Sequence, residues 1–104
     1  MPFPTPLALL LPLAFAVSDA VPRFNIEPSC KGGLDSPGLN ERYGRCISEE
    51  NGARQKLEGN WSSYPAGDRA QCTDTAKMGA PSYVELLTCL EMQRDARKLK
   101  PSGL

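Results

Sequence analysis

The sequence predicts an all-α protein, a small disulfide-stapled bundle of about three helices after an N-terminal loop arm. Three observations lead there. Apolar residues recur at three-to-four spacing through the second half of the chain, the mark of helices with one buried face. No run sustains the period-two alternation of a strand. Four cysteines stand in a chain of 104 residues that has no histidine, and so short a chain holds one domain whose apolar burial barely exceeds the entropy of ordering it.

Residues 1–20 read as a signal peptide. An apolar run of 11 residues, Leu7 to Val17, is followed by a small-x-small site, Ser18-Asp19-Ala20, the architecture of an export signal. A membrane-spanning helix needs roughly 20 apolar residues, and Pro12 interrupts this shorter run, so no stable membrane anchor is expected. No Lys or Arg precedes the run, which departs from the usual signal. A second small-x-small site, Ala14-Phe15-Ala16, cuts into the apolar run, so cleavage is expected after Ala20. Cys30, preceded by Glu27-Pro28-Ser29, stands too far from the run to be a lipoprotein cysteine. The mature protein is expected to be periplasmic or secreted. With Asp19 removed it carries 12 basic and 11 acidic residues, a balance that leaves no electrostatic footprint for nucleic acid or a membrane surface.

Residues 21–38 form a Pro/Gly-rich arm (Pro22, Pro28, Gly32, Gly33, Pro37, Gly38), a composition that breaks regular structure. Cys30 is the residue that would tie it down. The helical domain covers residues 39–100. Its first helix runs from about Leu39 to Tyr64, with Tyr43, Cys46, Ile47, Ala53, Leu57, Trp61 and Tyr64 on one face. Ser36-Pro37 or Asn40 with Glu41 would start it, and Pro65 would end it. Gly44, Gly52 and Gly59 each cost such a helix about 1 kcal/mol against alanine, so packing and a crosslink must hold it. A second, brief helix lies within residues 66–78. After the break at Gly79-Ala80-Pro81, Ser82-Tyr83-Val84-Glu85 reads as a capping box opening a third helix. That helix turns Leu86, Leu87, Cys89, Leu90, Met92 and Ala96 inward, and its basic end (Arg94, Arg97, Lys98, Lys100) suits the negative pole of the helix dipole.

Cys30, Cys46, Cys72 and Cys89 have 15, 25 and 16 residues between them and include no Cys-x-x-Cys pair. Redox enzymes and zinc sites use close pairs, and an oxidising compartment favours two structural disulfides over a metal. Three connectivities are open to four cysteines, and the sequence alone does not choose. Geometry leans to 30–46 with 72–89, because antiparallel helices about the Gly79 to Pro81 break would bring Cys72 and Cys89 level. In the chain-entropy model a loop of about 15 residues adds roughly 3 kcal/mol.

Little in the chain points to catalysis. There is no histidine for proton transfer near neutral pH, no phosphate-cradling glycine loop and no serine in a nucleophile elbow. Glu49 and Glu50 are neighbours that a helix would point apart, and both are read as part of a solvated face. Neither an enzyme nor a cofactor is expected. Trp61, Tyr64 and Tyr83 are the candidates for a recognition surface, since aromatics carry much of interface energy; Trp61 is also the largest side chain available to a small core, the reading preferred for it. Asn60-Trp61-Ser62 matches the glycosylation tripeptide and is treated as chance.

The stretch Cys46-x-x-x-Glu50-x-x-Ala53-Arg54-x-x-Leu57-x-x-x-Trp61, with Arg69-x-x-Cys72 and the block Pro81-Ser82-Tyr83-Val84-Glu85-Leu86-Leu87-Thr88-Cys89-Leu90-Glu91-Met92, resembles a family of short exported four-cysteine proteins of rhizobial alphaproteobacteria. Phe24-x-Ile26-x-Pro28-x-Cys30 extends the likeness into the arm. It implies a location and no mechanism. More distantly, Trp61, Arg69 and Cys72 are similar to the tryptophan, arginine and cysteine of the four-cysteine lysozyme-inhibitor-like helical domain, in which the Trp and Arg stand closer together; no functional residue is carried over. The expectation is therefore an exported non-catalytic helical module that binds a protein or cell-envelope component, with inhibition of a cell-wall hydrolase such as lysozyme as the alternative.

Overall fold

The computed structural model describes residues 20–31 and 39–99. The expected signal peptide, Met1 to Asp19, and the start signals at Ser36 and Pro37 lie outside the described residues. The described residues form four α-helices, α1 (Glu27–Cys30), α2 (Leu39–Asn60), α3 (Ala66–Ala76) and α4 (Tyr83–Leu99), with a 3-10 turn at Trp61–Ser63. Among the described residues there is no strand, and no helix is long and apolar enough to cross a membrane.

The arm departs from the expected loop by one helical turn. Pro28 lies in the first turn of α1, where its missing N–H costs nothing and its fixed φ favours helix. The Lys31 N–H then closes the turn on the Glu27 carbonyl at 3.0 Å. Helix α2 also ends earlier than Tyr64. Asn60 leaves helical geometry, and the chain turns through the 3-10 segment before Pro65 opens α3.

Both α2 and α3 pack on α4, and not on each other. The core is accordingly gathered around α4: Tyr83, Leu86 and Leu90 face Ala53 and Leu57 of α2, Trp61 and Tyr64 of the corner, and Cys72 and Ala76 of α3. The one-sided periodicity of α4 stops after Leu90. Met92 and Ala96, expected inward, are exposed, because the helix runs on past the end of the core and Met92 lies off the Leu86–Leu90 stripe. Between α3 and α4 the chain reverses through Gly79 at φ +73°, a left-handed conformation that glycine adopts without Cβ strain.

Both disulfides form, and in the pairing that geometry favoured. Cys30 is bonded to Cys46 and Cys72 to Cys89, with Cα atoms 5.5 and 5.6 Å apart, inside the span a relaxed cystine bridges. The first ties arm to α2, and the second bolts α3 to α4. Tyr43 of α2 adds a hydrogen bond to the Glu27 carboxylate at 3.2 Å, beside an exposed Lys31–Glu27 ion pair at 3.1 Å. Lys31, by its hydrogen bond and then by its charge, and after it Tyr43, hold the Glu27 carboxyl below its ordinary value. A lowered carboxyl stabilises the fold above the unfolded-state pKa, and that contribution disappears as pH falls through the folded value.

Two outcomes are expected. Replacing Cys72 and Cys89 together by alanine lowers the unfolding free energy by about 3 kcal/mol, read from the urea midpoint, whereas replacing Cys30 and Cys46 acts mainly on amide exchange in residues 21–30. In an NMR pH titration, Lys31→Met returns the Glu27 carboxyl towards its ordinary value.

Candidate functional site

The three aromatic residues considered for a recognition surface are core residues. Trp61 and Tyr64 are 5% exposed and Tyr83 is 4% exposed, so together they offer no outward face. The physical reason is supply. Among the described residues the large side chains that are completely sealed are Leu57, Leu86 and Leu90, and aromatic volume has to fill what remains between three helices and an arm.

Tyr83 does more than fill space. Its phenol oxygen accepts the Phe24 N–H at 2.8 Å and donates to the Pro22 carbonyl at 2.9 Å, while its ring lies 4.8 Å from the Phe24 ring. The arm from Val21 to Ile26 is thus laid on the core by one side chain of α4, with Val21, Phe24 and Ile26 partly buried against it. Ser29 adds a hydrogen bond to the Pro81 carbonyl at 2.6 Å.

Glu50 corrects the reading of a solvated carboxylate. It is 4% exposed, and its two oxygens accept from the Ser82 hydroxyl and the Tyr83 N–H, each at 2.6 Å. A helix of this kind leaves its first N–H groups without intrahelical partners and carries partial positive charge there. In α4 that need is met by a carboxylate from another helix. The expected capping box is half present: the Glu85 N–H does donate to the Ser82 oxygen at 3.2 Å, but the Ser82 N–H donates to the Ala76 carbonyl and the returning carboxylate is that of Glu50. The signal was in the spacing. Glu50 falls on the same three-to-four stripe as Cys46, Ala53, Leu57 and Trp61, so the helix that buries those residues buries Glu50 with them.

A second charged contact fastens the far ends of the antiparallel pair. Arg97 of α4 donates to Asp68 in the first turn of α3 at 2.8 Å, and Asp68 is nearly buried. The basic end of α4 therefore reaches across to α3 as well as suiting its own dipole. Nearby, the Arg69 guanidinium lies 5.7 Å from the centre of the Trp61 ring, within cation–π range.

A cleft of about 700 Å³ opens between the arm and α3. Pro22 and the edge of Trp61 form one wall, and Ala66, Gly67 and Ala70 of α3 form the other, with Arg69 and Asp74 as its charged residues. Its small, mainly apolar lining suits docking of apolar side chains. Among the described residues no group of three or more His, Cys, Asp or Glu side chains comes together to hold a metal ion. No family model matches this chain, and neither curated proteins nor solved structures give a significant match.

Removing the Glu50 carboxylate leaves two buried donors unsatisfied. Glu50→Ala is expected to lower stability by about 3 kcal/mol and Glu50→Gln by about 1 kcal/mol, since the amide still accepts one bond and the Ser82 hydroxyl can turn to accept from the other arm. Denaturant unfolding measures both, and equal losses would contradict this account.

Proposed function

We propose that the chain is an exported, non-catalytic helical module that binds a protein or another component of the cell envelope. The observation that carries the reading is that all four cysteines are joined in two disulfides. Such crosslinks form and persist where the surroundings are oxidising, and small exported domains use them to supplement a core that is too small. The signal-like first 20 residues point the same way. So does the packing of the arm: Val21 is partly buried against the core and the Pro22 carbonyl accepts from the Tyr83 phenol, directly after the expected cleavage site.

Binding is favoured over chemistry by the character of the open surface. The cleft beside Trp61 is mainly apolar, and its ionisable residues, Arg69 and Asp74, do not make a nucleophile with a base. Apolar clefts of this size take side chains of a partner.

The reading has two separable tests. N-terminal sequencing of the protein recovered from the periplasm or medium is expected to begin at Val21; recovery only from the cytoplasm, with four free thiols, removes the export half. Affinity capture with the oxidised protein from an envelope extract is expected to retain one specific component, and Ala70→Trp, which fills the cleft, is expected to reduce that capture by at least about tenfold. Capture of nothing specific removes the binding half.

A further inference from the structure

We propose that the groove between α2 and α4, beside the buried Ala53–Leu57 stripe, is the contact of a symmetric dimer in which two copies of α2 cross antiparallel at Gly52. The groove encloses about 370 Å³ and is lined by Glu49, Gly52, Ala53 and Lys56 of α2 and by Val84, Leu87 and Thr88 of α4. This surface is independent of the export reading and separate from the cleft beside Trp61.

Charge arrangement selects a second copy as the occupant. Glu49 and Lys56 stand on one face of α2, seven residues apart, hence roughly 10 Å along the axis, at the two ends of the groove. Among the described residues neither takes part in an ion pair. Their midpoint falls between Gly52 and Ala53. A twofold axis through that point sets Glu49 of each copy against Lys56 of the other, satisfying both charges twice with one operation, as an isologous interface requires.

The groove floor fits the same arrangement. Val84 is 38% exposed and Leu87 is partly buried, so apolar surface continues from the core to the rim. At Gly52, as at Gly44 and Gly59 of the same helix, an added Cβ would meet nothing within 4 Å, and of these three Gly52 lines the groove. The single chain therefore gains no packing from glycine there, although glycine weakens a helix relative to alanine. With a second helix crossing at this point, the missing side chain lets the two backbones approach closely.

Sedimentation equilibrium of the purified oxidised protein tests this, with circular dichroism to confirm that each variant is folded. Wild type is expected to show concentration-dependent dimerisation. Glu49→Lys and Lys56→Glu are each expected to weaken self-association by at least about tenfold, by placing like charges opposite one another. An equimolar mixture of the two variants is expected to recover dimer, because one offers only lysines at the groove and the other only glutamates. The double reversal is expected to recover it as well. Gly52→Leu is expected to abolish dimer while retaining the helical spectrum. A wild-type protein that stays monomeric up to about 1 mM, the concentration that marks very weak binding, overturns the proposal, as does a dimer indifferent to the charge reversals. Crosslinking of Lys56 to a different protein in place of Glu49 of a second copy overturns it too and assigns the groove to that protein.

Discussion

Among the described residues very little apolar volume is sealed inside the fold. Leu57, Leu86, Leu90 and Cys72 are the largest fully buried side chains there, and the last of these is itself half of a crosslink. Three leucines and their aromatic neighbours cannot by themselves offset the entropy of ordering three helices. The Cys72–Cys89 bond removes part of that cost by restricting the unfolded chain, and in the folded state it sets α3 level with α4 so that Ala76, Leu86 and Leu90 meet. The other contacts between α3 and α4 share this alignment. With α3 held in place, the Ser82 N–H reaches the Ala76 carbonyl, and Arg97 finds Asp68 at the opposite end of the pair.

Helices α2 and α3 pack on α4 and not on each other, so α4, with the corner at Trp61–Ser63 where Arg69 lies over the Trp61 ring, joins them. The first residues of α4 are where these connections converge. Ser82 and Tyr83 receive the Glu50 carboxylate from α2, Pro81 receives Ser29 from the arm, and the Tyr83 phenol holds Pro22 and Phe24. A buried carboxylate is costly unless hydrogen bonded. Here it is bonded through both oxygens at a helix N-terminus, where the dipole also favours negative charge.

How much of this could be read from the residues depended on the range of the interaction. The three longer helices and the breaks at Pro65 and at Gly79 to Pro81 are local matters of period and turn chemistry, and they were legible; the cysteine pairing was only a geometric lean among three connectivities, and the single turn of α1 was read as loop. The burial of Leu57, Leu86 and Leu90 followed from the same period. The role of Glu50 was missed because a charge was assigned to solvent before its place on the apolar stripe of α2 was weighed. The docking of Phe24 and Pro22 on Tyr83 joins residues about sixty positions apart, and such a contact leaves no periodic mark in either segment. Met92 and Ala96 failed for a third reason: periodicity says which side of a helix faces inward, but not where the neighbouring helices end.

The cystines join first to second and third to fourth along the chain, so neither loop encloses the other and the two do not interleave. A polypeptide is made from its N-terminus onward. Each cysteine therefore meets its proper mate as the next thiol to appear, and an oxidant acting in order of emergence would yield the native cross-links without a mispaired stage. Rearrangement of wrong bonds is slow and needs a free attacking thiolate. A chain wired in this order can mature with an oxidase alone and has no inherent need of an isomerase.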